Sequence, residues 1–255
     1  MKIIGRRKAK GKGKCEIRIA KFEIRFTIRN RNNFAFRISH FAFPNSAIFN
    51  SLMPSVYDLK PKFQSLLRPL INKLARVGVT PNAVTIVALV GSLSVGALVS
   101  MAGSKPLLLL LLPIWLFIRM ALNAIDGMMA RELGMATQLG AVLNEIGDAL
   151  SDLGLYLPLA FINPQAQWPV VAFSIGAVLT EFCGVLARAL GGSRRYEGPM
   201  GKSDRAFVVG ALGVASLLAP RLIDVWPWIF SVAALLTVVT CFNRASKGLK
   251  EVKGK

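Results

Sequence analysis

Residues 119–152 read RMALNAIDGMMARELGMATQLGAVLNEIGDALSD and hold the side chains best suited to chemistry. Asn123 and Asp126 stand three apart, and Asn144, Asp148 and Asp152 follow one another at intervals of four. In a helix that interval lines them along one face. All five lie in stretches otherwise apolar enough for a membrane interior, where a polar ionisable row is costly and function is its default explanation. Carboxylates converging from two helices suit a divalent cation. Hard oxygen donors bind Mg²⁺ or Mn²⁺, and the cation can in turn hold a pyrophosphate. Two other readings fit the same spacing: Asp148 and Asp152 can pair with Arg119 or Arg131 inside a bundle, or the acids can serve a proton or ion pathway. Gly127 and Gly140 let helices approach closely and leave room for a ligand beside the carboxylates.

A row of acids at membrane depth needs spans to carry it. Hydrophobic residues make up 53% of the 255, yet the formal charge is +19. That combination belongs to membrane helices flanked by Lys and Arg and excludes an ordinary soluble domain. Six apolar stretches, near 83–102, 106–130, 136–162, 167–190, 205–222 and 226–243, approach the length that about 30 Å of hydrocarbon demands. Ahead of them, residues 57–77 set Phe63, Leu66, Leu67, Leu70, Ile71 and Leu74 at helical spacing among Lys60, Lys62, Arg68, Lys73 and Arg76. This predicts an amphipathic helix at the membrane interface, bent or punctuated by Pro61 and Pro69. The expected fold is all-α: a polytopic integral membrane protein of six transmembrane helices preceded by that interfacial helix.

The connections give an orientation. Arg131, then Arg188, Arg194, Arg195, Lys202 and Arg205, then Arg244, Lys247, Lys250, Lys253 and Lys255 mark one side, while the other carries Lys105 and Arg221. The positive-inside rule therefore puts both termini in the cytoplasm, with Trp168, Trp226 and Trp228 in an aromatic belt at the far face. Residues 1–52 form a basic extension with 13 Lys and Arg against two Glu. Their partly alternating pattern lacks the apolar run and cleavage site of a signal peptide. They are expected to lie outside the natural domain of residues 53–255, as a disordered extension or an artefact of start-site choice, and no nucleic-acid partner is expected. Cys15, Cys183 and Cys241 show no metal or redox spacing. His40, the one histidine, lies in this extension, which argues against a histidine base.

The polar row resembles the signature of the CDP-alcohol phosphatidyltransferase family, D-x-x-D-G-x-x-A-R, eight residues, then G-x-x-x-D-x-x-x-D. Here the match runs Asn123, Asp126, Gly127, Ala130, Arg131, eight residues, then Gly140, Asn144 and Asp148, with every spacing kept. The two departures are Asn123 and Asn144, each standing where the family has Asp. Thr80-Pro81-Asn82-Ala83-Val84-Thr85 resembles the family's entry to its first span. The run Asn123-Ala124-x-Asp126-Gly127-Met128-x-Ala130-Arg131-Glu132 resembles a YnbA-like bacterial branch. The resemblance covers roughly residues 57–245 and includes the six-span layout.

It implies transfer of a phosphatidyl group from CDP-diacylglycerol to an alcohol with release of CMP, at the cytoplasmic face of a bacterial inner membrane. Asp126 and Asp148 would hold Mg²⁺ or Mn²⁺, with Asn123 and Asn144 on the remaining ligand positions. Asp148 falls on the position of the general base. Gly127, Ala130, Arg131 and Gly140 would line the CDP pocket. An Asn carbonyl ligates such a cation but carries no charge, so either Asp152, one turn beyond Asp148, compensates as a further ligand, or the site takes a different donor or metal, or catalysis has been lost. Lys202 and Arg205, in Gly201-Lys202-Ser203-Asp204-Arg205, would meet a small, phosphorylated alcohol acceptor, and Glu181 is expected to pair with Arg188 or Arg119. A homodimer is implied as well. The alternative is a non-catalytic, CDP-lipid-binding or regulatory membrane protein.

Overall fold

A computed structural model describes residues 56–254; the extension assigned to residues 1–52 lies outside the described residues. Helix α1 (Val56–Arg76) continues past Pro61 and Pro69 rather than ending at either. Each proline removes a backbone donor, but Leu67 and Ile71 are buried against Val84, Ile125, Met128 and Met129, which holds the turn beyond Pro69 in place. Leu66 points outward instead, so the apolar stripe of α1 divides between the bundle and its surroundings.

Helix α2 (Pro81–Val99) begins as the Thr-Pro-Asn sequence requires: the Thr80 hydroxyl accepts from the Ala83 amide at 3.2 Å, and Pro81 occupies the first helical position. A 3₁₀ turn at Pro106–Leu110 leads into α3 (Leu111–Glu132). Gly134, with φ +67°, supplies the left-handed residue that ends α3. Thr137 then caps α4 (Gln138–Tyr156) by accepting from the Gly140 amide at 2.9 Å. This short turn is what sets the two halves of the polar row facing each other. A 3₁₀ turn at Leu157–Phe161 extends α4, and another at Pro164–Ala166 opens α5 (Gln167–Ala189). In α6 (Lys202–Leu218) the Asp204 carboxylate accepts from the Gly201 amide at 2.9 Å. The 3₁₀ turn Pro220–Val225 precedes α7 (Trp226–Lys253).

Helix α2 lies against α3 and α4, α3 against α6, α4 against α5, and α5 along α7. A Cβ on Gly96 would overlap the Gly154 carbonyl oxygen, so the α2 and α4 backbones touch. The core centres on a run of rings, Tyr156–Phe173–Phe230–Trp226, with successive centroids 5.3, 5.5 and 5.7 Å apart. Trp226 therefore does not join an aromatic belt: it is 1% exposed and donates to the Ser216 hydroxyl, whereas Trp168 and Trp228 stay outside at 76% and 75%.

Among the described residues, four segments are long and apolar enough to cross a membrane: Pro81–Val99, Pro106–Glu132, Pro164–Ala189 and Pro220–Lys253. The polar residues of α4 and the 17-residue length of α6 keep those two helices apart from the four.

Candidate active site

A cleft of about 550 Å³ opens between the C-terminal half of α3, the N-terminal half of α4, the start of α6 and the last turns of α5. Asn123, Asp126, Gly127, Ala130 and Arg131 reach it from α3, Gly140, Asn144 and Asp148 from α4, and Lys202 from α6. The entry sequence of α2 forms its floor. Thr85 donates its hydroxyl to Asp126 Oδ2 at 2.9 Å and shares it with the Pro81 carbonyl at 3.1 Å. Asn82 meets Gly140, where an added Cβ would come within 2.6 Å of its Oδ1. A Cβ at Gly127 would stand 3.0 Å from Nη2 of Arg131, so this glycine makes space for the arginine of its own helix.

Asp148 is surrounded by nitrogen. Its Oδ1 faces Lys202 Nζ at 2.5 Å, accepts from Asn123 Nδ2 at 3.3 Å and from Arg119 Nη2 at 3.4 Å. The amide of Asn123 thus acts as a donor to the neighbouring helix, which leaves its carbonyl oxygen as the atom that can turn to a cation.

The oxygen donors of Asp126, Asp148, Asn123 and Asn144 are of the hard type that Mg²⁺ and Mn²⁺ take. Among the described residues no three His, Cys, Asp or Glu side chains cluster as a metal site by themselves. A cation in this cleft therefore fits only if amide and substrate oxygens complete its shell, as is usual for Mg²⁺ beside phosphates.

Two residues predicted for the cleft are elsewhere. Asp152 is 2% exposed and does not line it. Arg119 Nη1 holds its Oδ1 at 2.5 Å and Arg205 Nη2 its Oδ2 at 2.8 Å. Arg205 is 0% exposed and spends its donors on Asp152, Glu181, the Thr180 hydroxyl and the Met200 carbonyl. No phosphate can reach a guanidinium so enclosed. Both corrections have one cause: a charge taken out of water must be paired where it is buried, and each ion meets the other. The pairing reading is thus realised through Arg119, while Arg131 lies on the cleft.

Glu181 pairs with Arg205, Arg194 and Arg244, not with Arg188 or Arg119. Arg194 also reaches Glu145 on α4 and stacks over the Tyr196 ring at 4.9 Å.

Beside the cleft runs an apolar groove of about 590 Å³ between α3 and α6, walled by Pro113, Leu116, Phe117, Met120, Phe207 and Gly210. Asn123, Lys202 and Ser203 border both spaces. Sequence reasoning missed this groove, together with the cleft roles of Asn82, Thr85 and Glu145. Asn82 and Thr85, three apart at a helix start, carried a local signal; the others depend on contacts between distant segments.

A family model described as CDP-alcohol phosphatidyltransferase matches residues 78–241. The inner membrane protein YnbA of Escherichia coli (strain K12) is 47% identical over 190 residues, 74% of this chain and 94% of that protein. A phosphatidylinositol phosphate synthase of Mycobacterium marinum is 30% identical over 194 residues, 71% of this chain and 79% of that one. Among solved structures, the phosphatidylinositol phosphate synthase of Mycobacterium tuberculosis with CDP-DAG bound is 24% identical, with a TM-score of 0.60, over 72% of this chain and 92% of that one. The same synthase in complex with manganese and citrate is 23% identical, with a TM-score of 0.61, over 71% and 88%. At those identities the two structures establish a shared fold.

Proposed function

The chain belongs to the CDP-alcohol phosphatidyltransferase family, and from that premise we propose that it transfers a phosphatidyl group from CDP-diacylglycerol to an alcohol acceptor in phospholipid biosynthesis, releasing CMP. The observation that carries this reading is the meeting of a polar cleft and an apolar groove at Asn123, Lys202 and Ser203. A molecule with a charged nucleotide head and hydrocarbon tails suits two such spaces joined side by side.

In the reaction an acceptor hydroxyl gives its proton to the Asp148 carboxylate. Its oxygen bonds to the phosphorus of the phosphatidyl group, and the bond from that phosphorus to the CMP oxygen breaks. Asp148 acts as base and positions the nucleophile. Lys202, at its side, supplies positive charge where the phosphates come. Arg131, over Gly127, serves the CDP phosphates, with Ala130 and Gly140 completing that pocket. Asp126, Asp148 and the carbonyls of Asn123 and Asn144 would hold a divalent cation, Mg²⁺ or Mn²⁺, whose charge would neutralise the pyrophosphate.

The acceptor is a small alcohol. A phosphorylated one is favoured by Lys202 and Arg188, which line the cleft, and by the relatives that are phosphatidylinositol phosphate synthases. All six spans belong to this reading. Helices α4 and α6 complete the four apolar ones, α1 lies in the interface, and the cleft opens to the cytoplasm beneath a bacterial inner membrane. Pairing of two copies belongs to it too. Residues 1–52 are an extension to the catalytic domain of residues 53–255.

The test is CMP release from CDP-diacylglycerol by purified protein in liposomes, with Mg²⁺ or Mn²⁺ and a panel of free and phosphorylated alcohols. Acceptor-dependent release, lost in Asp148→Asn, is the expected result. Binding of CDP-diacylglycerol without release for any acceptor would replace the enzyme by a CDP-lipid-binding regulatory protein.

A further inference from the structure

We propose, on the footing of the transferase reading above, that Asp152 and Arg119 are positioning residues that fix the Asp148 carboxylate in the cleft. The geometry is a relay across four helices. Glu181 on α5 holds Arg205 of α6 at 2.9 Å, and Arg205 holds Asp152 Oδ2 of α4 through Nη2 at 2.8 Å and Nε at 3.2 Å. Asp152 Oδ1 in turn holds Arg119 Nη1 of α3 at 2.5 Å. The second arm of the same guanidinium, Nη2, donates to the main-chain carbonyl of Asp148 at 3.0 Å and faces its Oδ1 at 3.4 Å. Arg119 therefore ties the backbone and the side chain of the base position to one rigid group.

The side chains of Arg119, Asp152 and Arg205 are 4%, 2% and 0% exposed; Arg119 borders the apolar groove and Glu181 the cleft, but the ion pairs between them lie inside the bundle. A pair serving only to join α3 to α4 would be complete with Arg119 Nη1 on Asp152. The arm reaching Asp148 adds nothing to that pairing, but it constrains the residue that faces the substrate. A planar fork can hold two partners at fixed angles, and a lysine ammonium on a flexible stem cannot. A carboxylate that must meet a hydroxyl within hydrogen-bond reach needs such support from its surroundings.

The experiment compares wild type, Arg119→Lys and Asp152→Asn in detergent. It measures kcat for CMP release, KM for CDP-diacylglycerol and the thermal midpoint of each protein. Arg119→Lys keeps a cation opposite Asp152 but loses the fork; Asp152→Asn keeps the shape of the anchor and loses its charge. A misplaced base predicts that kcat falls about 100-fold while KM stays within about twofold, with the midpoint of Arg119→Lys close to wild type. Release retained by both variants at nearly the wild-type rate overturns the proposal while leaving the transferase reading intact. A fall in kcat matched by a change in KM and a lowered midpoint overturns it too, in favour of a purely structural network. No release by the wild type overturns the transferase reading, and the proposal with it.

Discussion

At the scale of single residues, the proposed chemistry turns on two amides of the cleft, Asn123 and Asn144. On the proposed match to the family signature both stand on carboxylate positions, and each amide would leave the cleft one negative charge fewer. Unit charges about 4 Å apart interact by about 1 kcal/mol in water and about 4 kcal/mol near a protein surface. Restoring both carboxylates, Asn123→Asp with Asn144→Asp, is therefore expected to lower the Mg²⁺ concentration that half-saturates CMP release by about tenfold or more. An unchanged half-saturation would show that these positions do not face the cation. The same variant should be less stable without metal. Asn123 now donates to Asp148 Oδ1 at 3.3 Å, and a carboxylate there would meet like charge. A thermal midpoint that falls in chelator and recovers with Mg²⁺ is the expected result. Asp148→Asn, which removes the proposed base, should cost between about 10²-fold and 10⁴-fold in rate, the range for removal of a general base.

At the scale of helices, burial decides what a charge pair is worth. Glu181 and Glu145 both pair with Arg194, but their side chains are 8% and 28% exposed. Glu181→Ala removes a partner from the enclosed Arg205 and is expected to destabilise the bundle by about 3–5 kcal/mol. Glu145→Ala breaks a more accessible pair and should cost at most about 1 kcal/mol. Thermal unfolding in one detergent ranks the two, and equal losses would refute this assignment. The groove between α3 and α6 gives a different prediction. Ala206→Trp, at its wall, should raise KM for long-chain CDP-diacylglycerol while leaving KM for the acceptor unaltered, because it fills the space of the tails and not the cleft. Steady-state kinetics with donors of two chain lengths distinguish this from a general loss of packing.

At the scale of the whole molecule, the six-span reading has a sided consequence. Single-cysteine variants at Lys105 and Lys253, made after replacing the native cysteines, should react with an impermeant maleimide from opposite faces of the membrane. Labelling of both from one face would refute the arrangement. Helix α7, 28 residues long, spans about 42 Å and so outruns about 30 Å of hydrocarbon. Its polar end holds the loop between α5 and α6, with Arg195 on Glu251 at 2.6 Å and Arg244 on the Tyr196 and Glu197 carbonyls.

The all-helical class, four of the six apolar spans and the gathering of Asn123, Asp126, Asn144 and Asp148 along one cleft were legible in the amino-acid sequence alone. Hydrophobic runs, caps and residue intervals are local, and a helix converts them directly into faces. The sequence did not determine that Asp152 and Arg205 turn inward, that α1 continues past Pro69, or that Trp226 sits in the core. Asp148 and Asp152 share one helical interval and one residue type, yet one faces a cleft and the other two arginines. Only the tertiary structure decided between them, because the pairing of a buried charge depends on side chains far away in the chain.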